Sequence, residues 1–134
     1  MKEVMVRSIV DGTVEGNAIV SPFPITFFGD VDPKTGEIID SENPLYGKSI
    51  AGKIFVFPQG KGSTVGSYII YGLKVNKVAP LAFITNIAET IVVAGAILAE
   101  IPLVDQPRED VINFIKTGDY IILDTKKNQI IKKE

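Results

Sequence analysis

Residues Phe57 to Ser67 read Phe-Pro-Gln-Gly-Lys-Gly-Ser-Thr-Val-Gly-Ser and gather the groups of this chain best suited to chemistry. An apolar run, Ile54 to Phe57, has the character of a buried strand and breaks at Pro58. Gly60, Lys61 and Gly62 follow. Ser63 and Thr64 come next, placed to cap an apolar helical segment from Val65 to Leu73. A strand, a glycine-rich turn and a helix N-terminus together suit an anion. The helix end offers unpaired N–H groups and a partial positive charge, and Lys61 adds a full one. Gly60 and Gly62 let the backbone approach a ligand closely. The order Gly-Lys-Gly-Ser is not the nucleotide phosphate loop, which needs Gly-Lys-Ser/Thr after a longer glycine spacing. Taken alone, the stretch fits two readings: an anion site, or a plain capped helix with Lys61 in solvent.

The surrounding elements must hold this loop. Val4, Val6 and Ser8 alternate with Met5, Arg7 and Ile9 and predict a largely buried strand, closed by a turn at Asp11-Gly12. Asn17 to Ser21 predicts a second strand, and Pro22 to Phe28 an apolar, irregular loop. Asp32 to Gly36 carries turn chemistry, and Asn43 to Gly52 reads as loop. Lys53 to Phe57 is the central strand. Thr64 to Lys74 is the first helix, with Val65, Ile69, Ile70 and Leu73 on one face. Leu81 to Thr85 reads as a buried strand, and Ala88 to Ala99 as a helix apolar on nearly all sides and therefore buried. Ile101 to Val104 is a short strand, and Asp110 to Thr117 a short helix ended by Gly118. Tyr120 to Asp124 and Gln129 to Lys132 form a terminal hairpin. The order implies an α/β or α+β fold with a β-rich core.

Composition removes whole classes of function. The length of 134 residues suits one domain with a real core and is too short for two, so residues 1–134 are read as one unit. A formal charge of −2 points to no nucleic-acid or acidic-membrane partner. The chain has no cysteine and no histidine. That excludes a disulfide scaffold, thiol catalysis, a Cys/His zinc site and a Ser-His-Asp triad. It also excludes thiolate ligation of an iron–sulfur cluster by this chain. The early residues, with Lys2 and Glu3, form no secretory apolar segment, and the longest apolar run, Ile91 to Ala99, is too short to span a bilayer. These features fit a cytoplasmic protein.

Several segments recur together in a telling order. They are Gly16-Asn17-Ala18, Phe28-Gly29, Asp32-Pro33-Lys34-Thr35-Gly36-Glu37-Ile38-Ile39-Asp40, Pro44-Leu45-Tyr46-Gly47, Ala51-Gly52-Lys53 and Gly60-Lys61-Gly62-Ser63. In this order and spacing the chain resembles the small, swivelling-domain subunit of the aconitase X family, and within it the archaeal branch acting on phosphomevalonate. The resemblance runs from Val4 to Asp124. Where many members have Gly-Gly-Val-Asp, this chain has Gly29-Asp30-Val31-Asp32.

The resemblance implies a swivelling β/β/α domain like the C-terminal domain of aconitases, α/β in class, with flanking helices. It implies a two-subunit hydro-lyase active only as a heterodimer. The large subunit is expected to hold a four-iron four-sulfur cluster, and this chain no cofactor or metal. The implied substrate is a phosphorylated hydroxy acid, (R)-5-phosphomevalonate, dehydrated to trans-anhydromevalonate 5-phosphate in isoprenoid synthesis. The alternatives are a hydroxyproline dehydratase of the same family and a non-catalytic binding domain. The resemblance places the general base at Ser63. A serine works as a base only when its alkoxide is stabilised, and a helix N-terminus with a nearby lysine acts in that direction. Gly62 and Thr64 are expected to offer N–H groups to substrate, and Lys61 either to pair with its carboxylate or phosphate or to sit in solvent. Ser67 is expected to bond back to its own helix, and Asp30 and Asp32 to shape a turn rather than act as a carboxylate pair. Phe27, Phe28 and Tyr46 suit either a subunit interface or the core.

Overall fold

The structure, a computed structural model, describes residues 2–133. Extended chain begins at once as β1 (Lys2–Met5) and β2 (Arg7–Val10), parted only by Val6. Next come β3 (Val14–Val20), a single kinked turn α1 (Phe27–Asp30) and β4 (Ile54–Gln59). Then α2 (Val65–Val75), β5 (Ala82–Ile87), α3 (Thr90–Ala99) and β6 (Leu103–Asp105) alternate. The chain ends with α4 (Val111–Phe114) and the hairpin β7 (Tyr120–Asp124) and β8 (Gln129–Lys132).

Among the described residues eight strands form one sheet in the order β1-β8-β7-β3-β4-β5-β6-β2. Strands β3 to β6 run parallel, and the other pairings are antiparallel. The two outer strands, β1 and β2, are halves of one extended run. Lys2–Met5 pairs with β8, and Arg7–Val10 with β6. The sheet therefore closes on itself and leaves few free edges. β3 also changes partner midway: Val14–Asn17 pairs with β7, and Ala18–Val20 with β4.

Closure gives β4 two buried faces, which explains why its sequence is an unbroken apolar run. Phe55 and Phe57 point into a core shared with α2 and α3, beside Ile70, Leu73, Val92 and Ala96. Ile54 and Val56 point into a second core inside the closed sheet, beside Val4, Ile84, Ile121, Leu123 and Ile130. Phe27 reaches the first core from α1, and its ring meets those of Phe55, Phe57 and Phe83 edge-on at 5.6 to 6.4 Å. These aromatic contacts anchor the segment that later supports the loop after β4.

The expected α/β swivelling architecture is present, and several details differ from expectation. β4 does not stop at Pro58, since Gln59 still pairs with Ile87. The Val56 carbonyl accepts from Ser21 on the β3 side, and by strand alternation Pro58 faces that side beyond the end of β3, where no N–H is required. On α2, Ile70 and Leu73 are buried, yet Val65 is 42% exposed because the helix enters at the surface. α3 is not buried all round: Ile97 is 59% and Leu98 50% exposed. Its buried side is made of small residues instead. A Cβ on Gly95 would lie 2.6 Å from Ile70 Cδ1, so only glycine lets α3 press this close to α2. α4 is one turn shorter than read and ends before Ile115, although its cap at Asp110 is real: the carboxylate accepts the Ile112 N–H at 3.0 Å.

Candidate active site

The loop Gly60–Thr64 leaves the carboxyl end of β4, the end of a parallel sheet where α/β proteins bind ligands. A neighbouring segment holds its first half. The Ile25 N–H donates to the Gln59 carbonyl at 3.0 Å, and the Lys61 N–H donates to the Ile25 carbonyl at 2.9 Å. Gly60 is buried under α3, where a Cβ would meet Val92 Cγ2 at 2.4 Å. Gly62 has φ of +104°, a backbone state that side chains disfavour, and a Cβ there would meet Thr26 Cγ2 at 2.7 Å. Both glycines are thus required sterically.

The cap expected from Ser63 or Thr64 does not form. Thr64 precedes the helix with φ −58° and ψ −22°, already helical, and its side chain makes no capping bond. A capping residue needs an extended backbone to turn its oxygen onto the next N–H groups. Helical bonding begins with Gly66 N–H to the Ser63 carbonyl at 3.0 Å and Ser67 N–H to the Thr64 carbonyl at 3.2 Å. Among the described residues, the N–H groups of Gly62, Ser63, Thr64 and Val65 meet no acceptor, and the Ser63 hydroxyl forms no hydrogen bond. Lys61, Gly62, Ser63 and Thr64 are all exposed. The result is a free hydroxyl among free donors, at the positive end of α2. Such a setting stabilises a negative oxygen, whether it belongs to a bound anion or to the serine itself.

The remaining candidates fall into place around it. Ser67 Oγ donates to the Thr64 carbonyl at 2.8 Å, so it bonds back to its own helix as expected. Asp32 Oδ1 accepts the Lys34 N–H at 2.8 Å and shapes the turn. Asp30 Oδ2 accepts the Thr26 N–H at 2.8 Å, also a turn bond. Neither aspartate is arranged as half of an acid–base pair. Phe27 is core, whereas Phe28 and Tyr46 are exposed at 57% and 59%. Beside the loop lies a hollow of about 360 Å³ that holds Lys61 together with Asp30, Asp40 and Glu42. Lys61 makes no ion pair there among the described residues. One wall is pinned from below by a buried pair, with Asn43 Nδ2 donating to Ser21 Oγ at 2.9 Å and Ser21 Oγ donating to the Phe23 carbonyl at 2.8 Å.

A larger hollow of about 580 Å³ sits at the opposite end of β4, near Lys48 and Lys53. Its hydroxyls are already engaged. Ser49 Oγ donates to the Thr35 carbonyl at 3.0 Å, and Thr117 Oγ1 accepts the Val20 N–H at 3.0 Å. Lys48, Lys53 and Asn17 line it with side chains unengaged among the described residues, but it holds no free hydroxyl at a helix start, which is what sets the loop after β4 apart. The sequence reading missed Ile25 and Thr26, which support the loop. Their only signal was a β-branched pair, one apolar and one hydroxyl-bearing, directly after Pro24.

The chain is a poor host for a metal cluster. It has no cysteine or histidine, and among the described residues no group of three His, Cys, Asp or Glu side chains converges. The cluster implied by the resemblance does not fit the groups present here. No helix among the described residues is long and apolar enough to cross a membrane.

Comparison with known proteins adds the family. The sequence profile described as the aconitase X swivel domain matches residues 3–132. A phosphomevalonate dehydratase small subunit from Thermococcus kodakarensis is 51% identical over 124 residues, covering 92% of this chain and 91% of that one. Its counterpart from Methanothermobacter thermautotrophicus is 44% identical over 128 residues, covering 96% and 98%. Among solved structures, the holo-form crystal structure of Thermococcus kodakaraensis aconitase X superposes with a TM-score of 0.94 at 48% identity and covers 100% of both chains. A match across nearly the whole length, in sequence and in fold, leaves one assignment: the chain belongs to the aconitase X family, as its swivel domain.

Proposed function

We propose that this chain is the small subunit of a two-subunit phosphomevalonate dehydratase and supplies the general base. The proposal rests on the uncapped start of α2, where the free Ser63 hydroxyl lies among the unpaired N–H groups of Gly62 to Val65. The reaction removes water from (R)-5-phosphomevalonate: a proton leaves the carbon next to the carboxylate, and hydroxide leaves the neighbouring carbon. Ser63, as its alkoxide, takes the proton. The helix end and Lys61 hold that alkoxide before transfer and the substrate carboxylate throughout, with Gly62 and Thr64 giving N–H bonds. The large subunit is assigned the cluster and most of the substrate contacts, in a cytoplasmic heterodimer. This chain's part is the proton.

The test is Ser63→Ala in the complex reconstituted anaerobically with the large subunit. The kcat for phosphomevalonate dehydration should fall by about 10²- to 10⁴-fold, the range for a lost general base. Folding and assembly should hold, because the hydroxyl makes no bond to lose. Thr64→Ala, a neighbouring hydroxyl without the basic role, should stay within a few-fold of the parent. Near-parental kcat in Ser63→Ala would move the base to the large subunit. Turnover of a hydroxyproline in place of phosphomevalonate would overturn the substrate assignment.

A further inference from the structure

We infer that Thr26 is a positioning residue for Ser63, held in place by the Asp30 carboxylate; the catalytic half of this inference rests on the proposal that Ser63 is the base. Backbone bonding lapses at the site. The last bond before it is Lys61 N–H to the Ile25 carbonyl, and the first after it is Gly66 N–H to the Ser63 carbonyl. Between them lies Gly62, at φ +104° and free to leave that state at little cost. The Ser63 hydroxyl has no bond of its own to fix its direction, so the torsions of Gly62 aim it.

What faces Gly62 is Thr26. The three atoms nearest to the position of a Gly62 Cβ all belong to it: Cγ2 at 2.7 Å, Cβ at 3.6 Å and Oγ1 at 3.7 Å. The methyl group, not the hydroxyl, makes the close approach. Thr26 is itself tied at both ends of its peptide to one residue. Its N–H donates to Asp30 Oδ2 at 2.8 Å, and its carbonyl accepts the Asp30 N–H at 3.0 Å. The Asp30 carbonyl then accepts the Ile39 N–H at 2.8 Å, which joins this ring to the next loop. Hydrogen bonds therefore run from Ile39 through Asp30 to Thr26, whose methyl fills the space on the Cβ side of Gly62, and the chain hands the reacting oxygen on from there. A displacement of about 1 Å at such a point is enough to cost up to about 10²-fold in rate.

The experiment compares four variants in the reconstituted two-subunit enzyme. Thr26→Ser removes the methyl and keeps the hydroxyl, and Thr26→Val does the reverse. Asp30→Ala removes the acceptor, and Asp30→Asn keeps one. Thr26→Ser and Asp30→Ala should lower kcat by about 10- to 100-fold with KM nearly unchanged. Thr26→Val and Asp30→Asn should return most of that loss, and subunit affinity should not move. In the free chain, backbone order parameters at Gly62 to Thr64 should fall in Thr26→Ser and stay at the parental value in Thr26→Val. A dead Thr26→Val beside an active Thr26→Ser would make the hydroxyl the working group and overturn the inference. So would equal kcat in all four, or a loss confined to KM or to folding. If Ser63→Ala shows that Ser63 is not the base, the order parameters decide alone, and unchanged values in Thr26→Ser reject the contact.

Discussion

Replacing Gly62 by alanine tests the geometry of the loop without touching a reacting group. Two separate costs follow from the structure. An L-residue held at φ +104° loses about 1–2 kcal/mol against glycine. The added methyl must also be accommodated 2.7 Å from Thr26 Cγ2. Thr26 cannot simply retreat, because both its N–H and its carbonyl are bonded to Asp30. Overpacking of this kind adds about 1–2 kcal/mol. Gly62→Ala should therefore destabilise the chain by about 2–4 kcal/mol in urea unfolding, with an unchanged m-value. Gly118→Ala supplies the reference. Gly118 has φ +98° and nothing within 4 Å of its missing Cβ, so it should show the backbone cost alone. Adding Thr26→Ser to Gly62→Ala removes the methyl that clashes and should recover about 1 kcal/mol as a coupling energy. If Gly62→Ala costs no more than Gly118→Ala, or if the double variant recovers nothing, Thr26 does not press on the loop and the reasoning fails.

Four further outcomes are expected. Asp105, fully buried, accepts from Arg7 Nε at 2.8 Å, from Arg7 Nη2 at 2.9 Å and from the Ala88 N–H at 2.9 Å, so Asp105→Ala should cost about 2 kcal/mol in urea unfolding, most of it from the stranded Ala88 N–H, since Arg7 is solvated. The hydrogen bond and charge of Asp105 raise the Arg7 pKa further above its usual value, and a raised folded pKa gives stability that is lost only above the unfolded value, so the difference between the parent and Arg7→Met should stay flat from neutral to mildly alkaline pH. Purified alone, the chain should be colourless and inactive, and the large subunit should restore turnover; activity from the chain by itself would overturn the two-subunit reading. Phe23 is exposed in the hollow beside Lys61 and Phe28 is exposed on the same segment, so Phe28→Ser should weaken subunit association by about tenfold or more, as loss of an aromatic anchor does, while leaving the free chain's stability unchanged.

Where one element settles its own structure, the sequence was legible. β4, the terminal hairpin and the turn at Asp32 to Gly36 were read from apolar runs and turn residues alone, and all three are present. Closure of the sheet was not legible, because it depends on which strands Lys2 to Val10 meet, and those come from the far end of the chain. The environment of α3 was misread for a related reason. Its composition is apolar all round, and only the close approach to Ile70 at Gly95 shows which side is inward. The apolar stretch Pro22 to Phe28 was read as one loop and proved divided. Ile25 and Phe27 are core, while Phe23 and Phe28 face out. That division follows from the bridge between Ile25 and Gly60, a contact between segments far apart in the chain. At the site, the type of each residue was readable and its bonding was not. Ser63 and Thr64 are standard capping residues, and only the helical angles of Thr64 and the absence, among the described residues, of any N–H bonded to either hydroxyl reveal that neither one caps.

That missing cap is the most telling part of the site. A serine or threonine in capping geometry contributes about 1 kcal/mol, and two such residues stand at the head of α2. Neither bond is made, and the helix end is left open to solvent. The open end is also held in place: Gly60 is packed under Val92, Lys61 is bonded to Ile25, and Thr26 fills the space beside Gly62, which sits in a state that only glycine tolerates well. A helix start that merely frayed would have no need of these supports. A start meant only for stability would use its hydroxyls. An arrangement that withholds the cap and also braces the loop leaves N–H donors that an external negative group can take up in place of water. The same donors lower the cost of a serine alkoxide. The base catalysis proposed for Ser63 and the binding of an anion would thus draw on one device, the open start of α2.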